Sequence, residues 1–269
     1  MVRSQTGEKG LTRFPIRRRV LLGTGAASLG LLASGCDSIL RAKQTRDVLK
    51  LGQAMSLGVQ RAILSSQPLA REFLSSQLSP VFKVNGTRDP ATEEYRALQA
   101  NNFTTYRLQV DGLVHAPKSF SLADLQSILP RSQITRHDCV EGWSAIGKWT
   151  GAPLHEVLIQ CAPDRSARFA VFQCYDSLRA SRGGMTAYYE SIDLFDAYHP
   201  QTLLAYALND APLSVGHGAP LRLRVERQLG YKQAKYIKRI TLTSSLAGIY
   251  GGNGGYWEDN AGYEWYGGI

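Results

Sequence analysis

The chain lacks every paired cysteine spacing that usually marks metal or redox chemistry. Its four cysteines, Cys36, Cys139, Cys161 and Cys174, form no C-x-x-C, no C-x-x-C-H and no two-pair zinc pattern, which removes structural zinc, dithiol exchange and haem attachment as local motifs. Its five histidines, His115, His137, His155, His199 and His217, are scattered without H-E-x-x-H, and no serine sits in G-x-S-x-G; the zinc-protease and serine-hydrolase patterns are absent too. Concentrated charge is also missing. Of the net +9, residues 1–35 carry six bases and one acid, leaving 25 bases against 21 acids elsewhere. A surplus of four is too thin for a nucleic-acid backbone and better suited to an anionic cofactor or substrate. At 269 residues and 43% hydrophobic content, the chain can bury a core without disulfide staples.

What is present begins with an address. Arg17-Arg18-Arg19 precedes an uncharged stretch of roughly 14 residues, Val20 to Ala33, short of the ~20 a membrane-spanning helix needs. Basic residues, a short apolar run and the small residues Ala33-Ser34-Gly35 predict a twin-arginine signal peptide over 1–35, and hence a periplasmic protein or one on the outer face of the cytoplasmic membrane. A single membrane anchor is the alternative. Cys36 directly after Gly35 resembles a lipoprotein cleavage site, although Ala33 stands where leucine is usual.

Residues 37–103 read as a helical or irregular segment, with helical spacings over Asp47–Leu57 and Leu69–Leu78. Residues 104–269 read as the main domain. Strands are expected at Thr105–Val110, Gln133–Val140, Arg168–Tyr175, Leu221–Val225 and Tyr236–Leu242, and Leu203–Leu208 reads as an apolar segment. Helices are expected at Leu122–Leu129, capped by Ser121 and Asp124, and at Ala152–Gln160. Strands with short interspersed helices and no regular βαβ alternation predict an α+β fold with mixed sheets. Leu221–Val225 alternates apolar residues with Arg222 and Arg224, a strand with one basic face. Cys161 reads as a core thiol. Without Cys36, three thiols leave either one disulfide and a spare or one ligand cysteine and two buried ones. From Gly248 onward a Gly-, Tyr- and Trp-rich tail is expected to pack on the domain.

The segment Arg136-His137-Asp138-Cys139-Val140-Glu141-Gly142-Trp143-Ser144 carries the chemistry. A strand-end cysteine flanked by Arg136, His137 and Lys148 sits where cations favour the thiolate, the form that binds a soft metal. From the residues alone this is a reactive or ligand cysteine, or else a buried strand-end thiol.

These residues, followed by Trp149-x-Gly151-x-Pro153-Leu154, resemble the molybdopterin-binding domain of the sulfite-oxidase-like family. So do Tyr106–Val114, Leu203–Tyr206, His217-Gly218-Ala219-Pro220-Leu221-Arg222-Leu223 and Gly230-Tyr231-Lys232-x-x-Lys235. The blocks keep the family's order over residues 80–245. The resemblance implies an oxidoreductase carrying one molybdopterin with molybdenum bound by Cys139. It assigns cofactor contacts to His217 and Arg222, and to the loop Gln233, Ala234 and Lys235. It places His137 and Cys174 at cofactor-contacting positions and Asn85 in an upstream contact segment. Tyr188, in Thr186-Ala187-Tyr188, resembles an active-site tyrosine. Family habit implies a separate electron partner, a membrane cytochrome b or a soluble cytochrome c.

One departure bears on the substrate. Val140-Glu141-Gly142-Trp143 replaces the arginine-bearing segment that follows the ligand cysteine in animal and plant sulfite oxidases, and an indole suits a neutral S- or N-oxide better than a dianion. The expected reaction is two-electron oxygen-atom transfer, in the direction of sulfoxide reduction. The alternatives are a sulfite-oxidising dehydrogenase and a cofactor-free binding lipoprotein on the same fold.

Overall fold

The computed structural model describes residues 68–269 apart from 182, with single positions between 52 and 62. The arginine motif, Cys36 and most of Asp47–Leu57 lie outside the described residues.

Two five-stranded sheets build the domain. The first takes β1 (Arg107–Gly112), β2 (Lys118–Ser121), β5 (Phe169–Arg179), β6 (Met185–Asp193) and β10 (Ile237–Thr243) in the order β2-β1-β10-β5-β6. Only β1 and β10 run parallel; the other pairs are antiparallel. The second joins β3 (Arg131–Asp138), β4 (Ser144–Pro153) and β7 (Leu203–Leu208), with β8 (Ala211–Pro212) and β9 (Arg222–Arg224) both pairing on β7. Short helices fill the connections: α1 (Glu93–Ala100), α2 (Leu122–Ser127), α3 (Leu154–Ile159), α4 (Leu194–Ala197) and α5 (Tyr256–Ala261). The mixed α+β architecture is as the pattern predicts.

The main core gathers Leu108, Val110, Leu125, Leu158, Phe172, Ile192, Leu223 and Ile240, and a smaller cluster surrounds Trp149 with Phe82, Ala205 and Leu208. Ser121 and Asp124 cap α2 reciprocally, Asp124 N donating to Ser121 Oγ at 3.0 Å and Ser121 N to Asp124 Oδ2 at 2.7 Å. Two expectations shift. Leu69–Leu78 forms no helix beyond a 3-10 turn at Ser75–Gln77. The helix expected from Ala152 starts at Leu154, because Ala152 and Pro153 still pair with Leu204 and Leu203 in β4. Cys139, Cys161 and Cys174 are all free buried thiols, so the three described cysteines take the undisulfided arrangement.

Gly151 sits where β4 shifts register against β7. A Cβ there would lie 2.3 Å from Leu204 O and 2.6 Å from Ala205 Cα, both backbone atoms that cannot swing aside. Gly151→Ala is therefore expected to destabilise the domain by about 2 kcal/mol and lower Tm by roughly 5 °C, read by thermal and urea unfolding.

Candidate active site

β3 ends at Asp138, and the chain turns back into β4 through Cys139–Trp143, closed by Cys139 N to Trp143 O at 2.9 Å and Gly142 N to Cys139 O at 3.0 Å. The turn presents Cys139, only 8% exposed, to a cavity of about 160 Å³. Asn85, Tyr188, Arg222, Gln233 and Lys235 line the same cavity, with Thr87, Glu141, Tyr231, Trp257 and Tyr263. Six of the ten site residues singled out in the sequence thus meet in one place. Asn85 Nδ2 lies 3.6 Å from Cys139 Sγ, its amide donating toward the sulfur.

The cations that reach the cavity are not those flanking Cys139 in sequence. Arg136 pairs with Asp138 at 2.9 Å and Lys148 with Asp210 at 2.6 Å. Arg222 and Lys235 supply the charge instead. Lys235 Nζ donates to Asn85 O at 2.8 Å, to Gly216 O at 2.9 Å and to Thr87 O, so one ammonium ties three loops together. Burial, with Arg222 nearby, pulls Lys235 down to about 7. Burial, with Arg224 two positions along β9, pulls Arg222 down to about 9. Arg222 Nη1 donates to His217 O at 3.0 Å, while its buried Nε has no partner among the described residues. The basic face of β9 is buried rather than solvated.

His137, Cys174, His217 and Ala234 are not among the cavity's lining residues. His137 is buried behind Gly230, whose Cβ would meet His137 Nε2 at 2.5 Å. Arg224 Nη1 approaches His137 Nδ1 at 2.9 Å, and Gln233 Oε1 lies 3.3 Å from the same nitrogen. Burial and the charges of Arg224 and Arg222 hold this ring neutral. Both ring nitrogens of His217 are engaged, Nδ1 with Ser214 Oγ at 2.8 Å and Nε2 with Phe82 O at 3.0 Å. Cys174 is fully enclosed, and burial beside Asp176 and Glu190 pushes its thiol well up. Ala234 contributes backbone, accepting from Leu223 N at 2.8 Å. Tyr188 lines the cavity with its hydroxyl committed to Tyr231 O at 2.6 Å. Trp143 is also off the cavity: its indole donates to Glu141 Oε2 at 3.0 Å and packs on His137 and Lys83.

Sequence reasoning missed Thr87 and the buried carboxylate Asp176, which no local motif marks, and carried Tyr231 only inside the Gly230-Tyr231-Lys232 block without a role. It noted the aromatic tail but not that Trp257 and Tyr263 reach the cavity.

A buried sulfur, the buried Arg222, the part-buried Lys235 and a cavity lined from both sheets make a site for an anionic cofactor, the arrangement of a molybdopterin-dependent oxidoreductase. Residues 96–248 match the oxidoreductase molybdopterin binding domain, and the chain belongs to this sulfite-oxidase-like family. A protein of Azospira oryzae provisionally named protein-methionine-sulfoxide reductase subunit YedZ1 is 37% identical over 203 residues, covering 73% of this chain and 70% of that one. The protein-methionine-sulfoxide reductase catalytic subunit MsrP of Ralstonia nicotianae is 37% identical over 141 residues, and that of Xanthomonas axonopodis pv. citri 34% over 161. The matches cover 50% and 58% of this chain, and 43% and 50% of those proteins. The sulfane dehydrogenase SoxCD of Paracoccus pantotrophus aligns with a TM-score of 0.46 at 19% identity, over 53% of this chain and 39% of that one.

Asp176 gives the site a measurable pH dependence. Burial pushes its carboxyl from the ordinary 3.8 up to about 6, against the pull of Lys235. Between these values the folded protein keeps a proton that the unfolded chain has released. The Asp176 contribution to stability is therefore full below pH ~4, falls as pH rises through ~6 and is flat above. Asp176→Asn is expected to remove this slope and to be more stable than wild type at pH 7.5 by roughly 2 kcal/mol, read by urea midpoints from pH 4 to 7.5.

Proposed function

We propose that this chain is an exported molybdenum–molybdopterin enzyme that reduces an S-oxide, with electrons delivered by a separate membrane cytochrome b or soluble cytochrome c. The observation that carries the reading is Cys139 facing a cavity that also receives Arg222 and Lys235. The relatives named as protein-methionine-sulfoxide reductases support the direction.

The residues present fit such a cofactor. Arg222 is a buried guanidinium with an unpartnered Nε, and a buried donor of that kind costs free energy until an acceptor such as a phosphate oxygen arrives. Among the described residues no group of three His, Cys, Asp or Glu is placed to hold a metal. A metal on Cys139 would therefore take its remaining ligands from the cofactor. When bound, the cofactor supplies two-electron oxygen-atom transfer.

The chain's own residues then have separable tasks. Cys139 supplies the thiolate, and Asn85 orients it. Arg222, Lys235 and the Gln233–Lys235 backbone offset negative charge, while His217 and His137 act from outside the cavity, His217 holding Arg222 through its carbonyl and His137 seating Gly230. Tyr188, its proton given to Tyr231 O, shapes the wall. Glu141 on the lining disfavours an anionic substrate such as sulfite and leaves a neutral S-oxide favoured.

Cys139→Ala is expected to lower viologen-linked reduction of methionine sulfoxide by on the order of 10³-fold or more and to remove the thiolate-to-molybdenum absorption. Full activity in that variant would sink the mechanism, and fast sulfite oxidation without sulfoxide reduction would reverse the direction. The export route, with lipidation at Cys36, rests on the sequence alone. Changing Arg17 and Arg18 together to Lys is expected to leave unprocessed protein in the cytoplasm, read by fractionation and immunoblotting.

A further inference from the structure

Much of the cavity lining that carries no charge is aromatic. Trp257 and Tyr263 stack with centroids 5.6 Å apart at 23°, and Tyr231 meets Tyr263 edge-on at 5.2 Å. Both stacked rings come from the last 13 residues of the sequence, beyond residue 248, where the family match ends.

This tail is bolted down. Glu258 of α5 reaches Lys232 Nζ at 2.7 Å, and Lys232 also pairs with Glu190; all three side chains are fully buried. Tyr256 Oη donates to Arg179 O, Leu229 N to Gly267 O at 2.7 Å and Tyr231 Oη to Glu264 O at 2.7 Å. Trp257 and Tyr263 therefore line the cavity from a tail held on both sides of them.

Aromatic faces carry negative quadrupole potential, which repels anions and attracts the methyl and sulfur groups of a thioether or its S-oxide. We propose that Trp257 and Tyr263 form the substrate wall that selects a methyl sulfoxide carried on a larger apolar side chain over the bare small S-oxide. This assignment rests on the sulfoxide-reductase reading above.

The test uses full-length, cofactor-loaded Trp257→Ala and Tyr263→Ala, with Trp257→Phe and Tyr263→Phe as conservative partners. N-acetylmethionine sulfoxide and dimethyl sulfoxide are compared by viologen-linked kinetics, alongside bound pterin content. The alanine variants are expected to lose about tenfold more kcat/KM on N-acetylmethionine sulfoxide than on dimethyl sulfoxide, mainly through KM. The phenylalanine variants should recover most of that ratio, and pterin content should match wild type. An unchanged ratio, or loss of pterin from the alanine variants, overturns the proposal. Calorimetric binding of N-acetylmethionine sulfoxide separates this from the parent reading. Wild type that binds it without turnover, with binding weakened about tenfold in Trp257→Ala, would overturn the reductase reading and keep the wall; wild type that neither binds nor reduces it overturns both.

Discussion

Arg222 and Arg224 stand two residues apart on a three-residue strand, both buried, with their guanidinium carbons 4.8 and 4.4 Å from the centre of the Trp149 ring. Like charges this close repel in a medium of low polarity, so the pair needs help from its surroundings. Arg224 gets it from Glu226, at 2.6 and 3.0 Å through two nitrogens. Arg222 meets the His217 carbonyl and the indole face, with Glu226 acting on it at longer range. The asymmetry makes one arginine a structural strut and leaves the other open toward the cavity. Trp149 holds both in place, since cation–π contact with a desolvated guanidinium is worth about 2 kcal/mol.

From Arg224 the same network continues into β3. Gln133, Thr135 and His137 face inward on alternate positions, a polar stripe where a sheet usually buries aliphatics. Gln133 Nε2 donates to Glu226 Oε1 at 2.8 Å and to Gln201 O at 2.9 Å, and Arg224 Nη1 approaches His137 Nδ1. Replacing such a network with aliphatic residues would often cost nothing in stability. Its value lies in direction: the contacts that satisfy Glu226 and Arg224 fix β9 against the end of β3, and so fix Arg222 relative to Cys139.

Periodicity and turn chemistry were enough to place β1, β3, β5, β9 and β10 within a few residues, because each strand's pattern is a local property, whereas β7 read only as an apolar segment. The capping pair Ser121 and Asp124 was legible for the same reason. Leu69–Leu78 misled, since apolar spacing near 3.6 does not form a helix where backbone groups find partners elsewhere: Phe73 N reaches Ile134 O at 2.9 Å and Ser79 N reaches Ile146 O at 3.0 Å. In the site, the cysteine and the cationic loop were legible through ordered motifs. What the sequence hid was which charge faces which cavity. Arg136 and Lys148 sit near Cys139 along the chain but are neutralised by Asp138 and Asp210, whereas Lys235, 96 residues from Cys139 in sequence, lines its cavity. Trp143 was misplaced in the same way, its indole claimed by Glu141.

Charge around the cavity is graded by what each group has to neutralise. Behind Tyr188 and Tyr231, Lys232 faces two carboxylates, Glu190 and Glu258, within one fully buried cluster. One ammonium cannot balance both, and burial with Glu258 alongside pushes Glu190 well up, so it keeps its proton despite Lys232. The polar groups of this cluster are thus spent on one another rather than on the cavity. On the other side the direct partners of Arg222 and Lys235 among the described residues are carbonyls and aromatic rings, with Asp176 the nearby acid that burial weakens. The site therefore holds unspent positive charge in one sector and neutral aromatic surface in another. That division is what a single cavity needs if it is to seat an anionic cofactor and an uncharged substrate side by side, because each partner meets a surface that the other would find unfavourable.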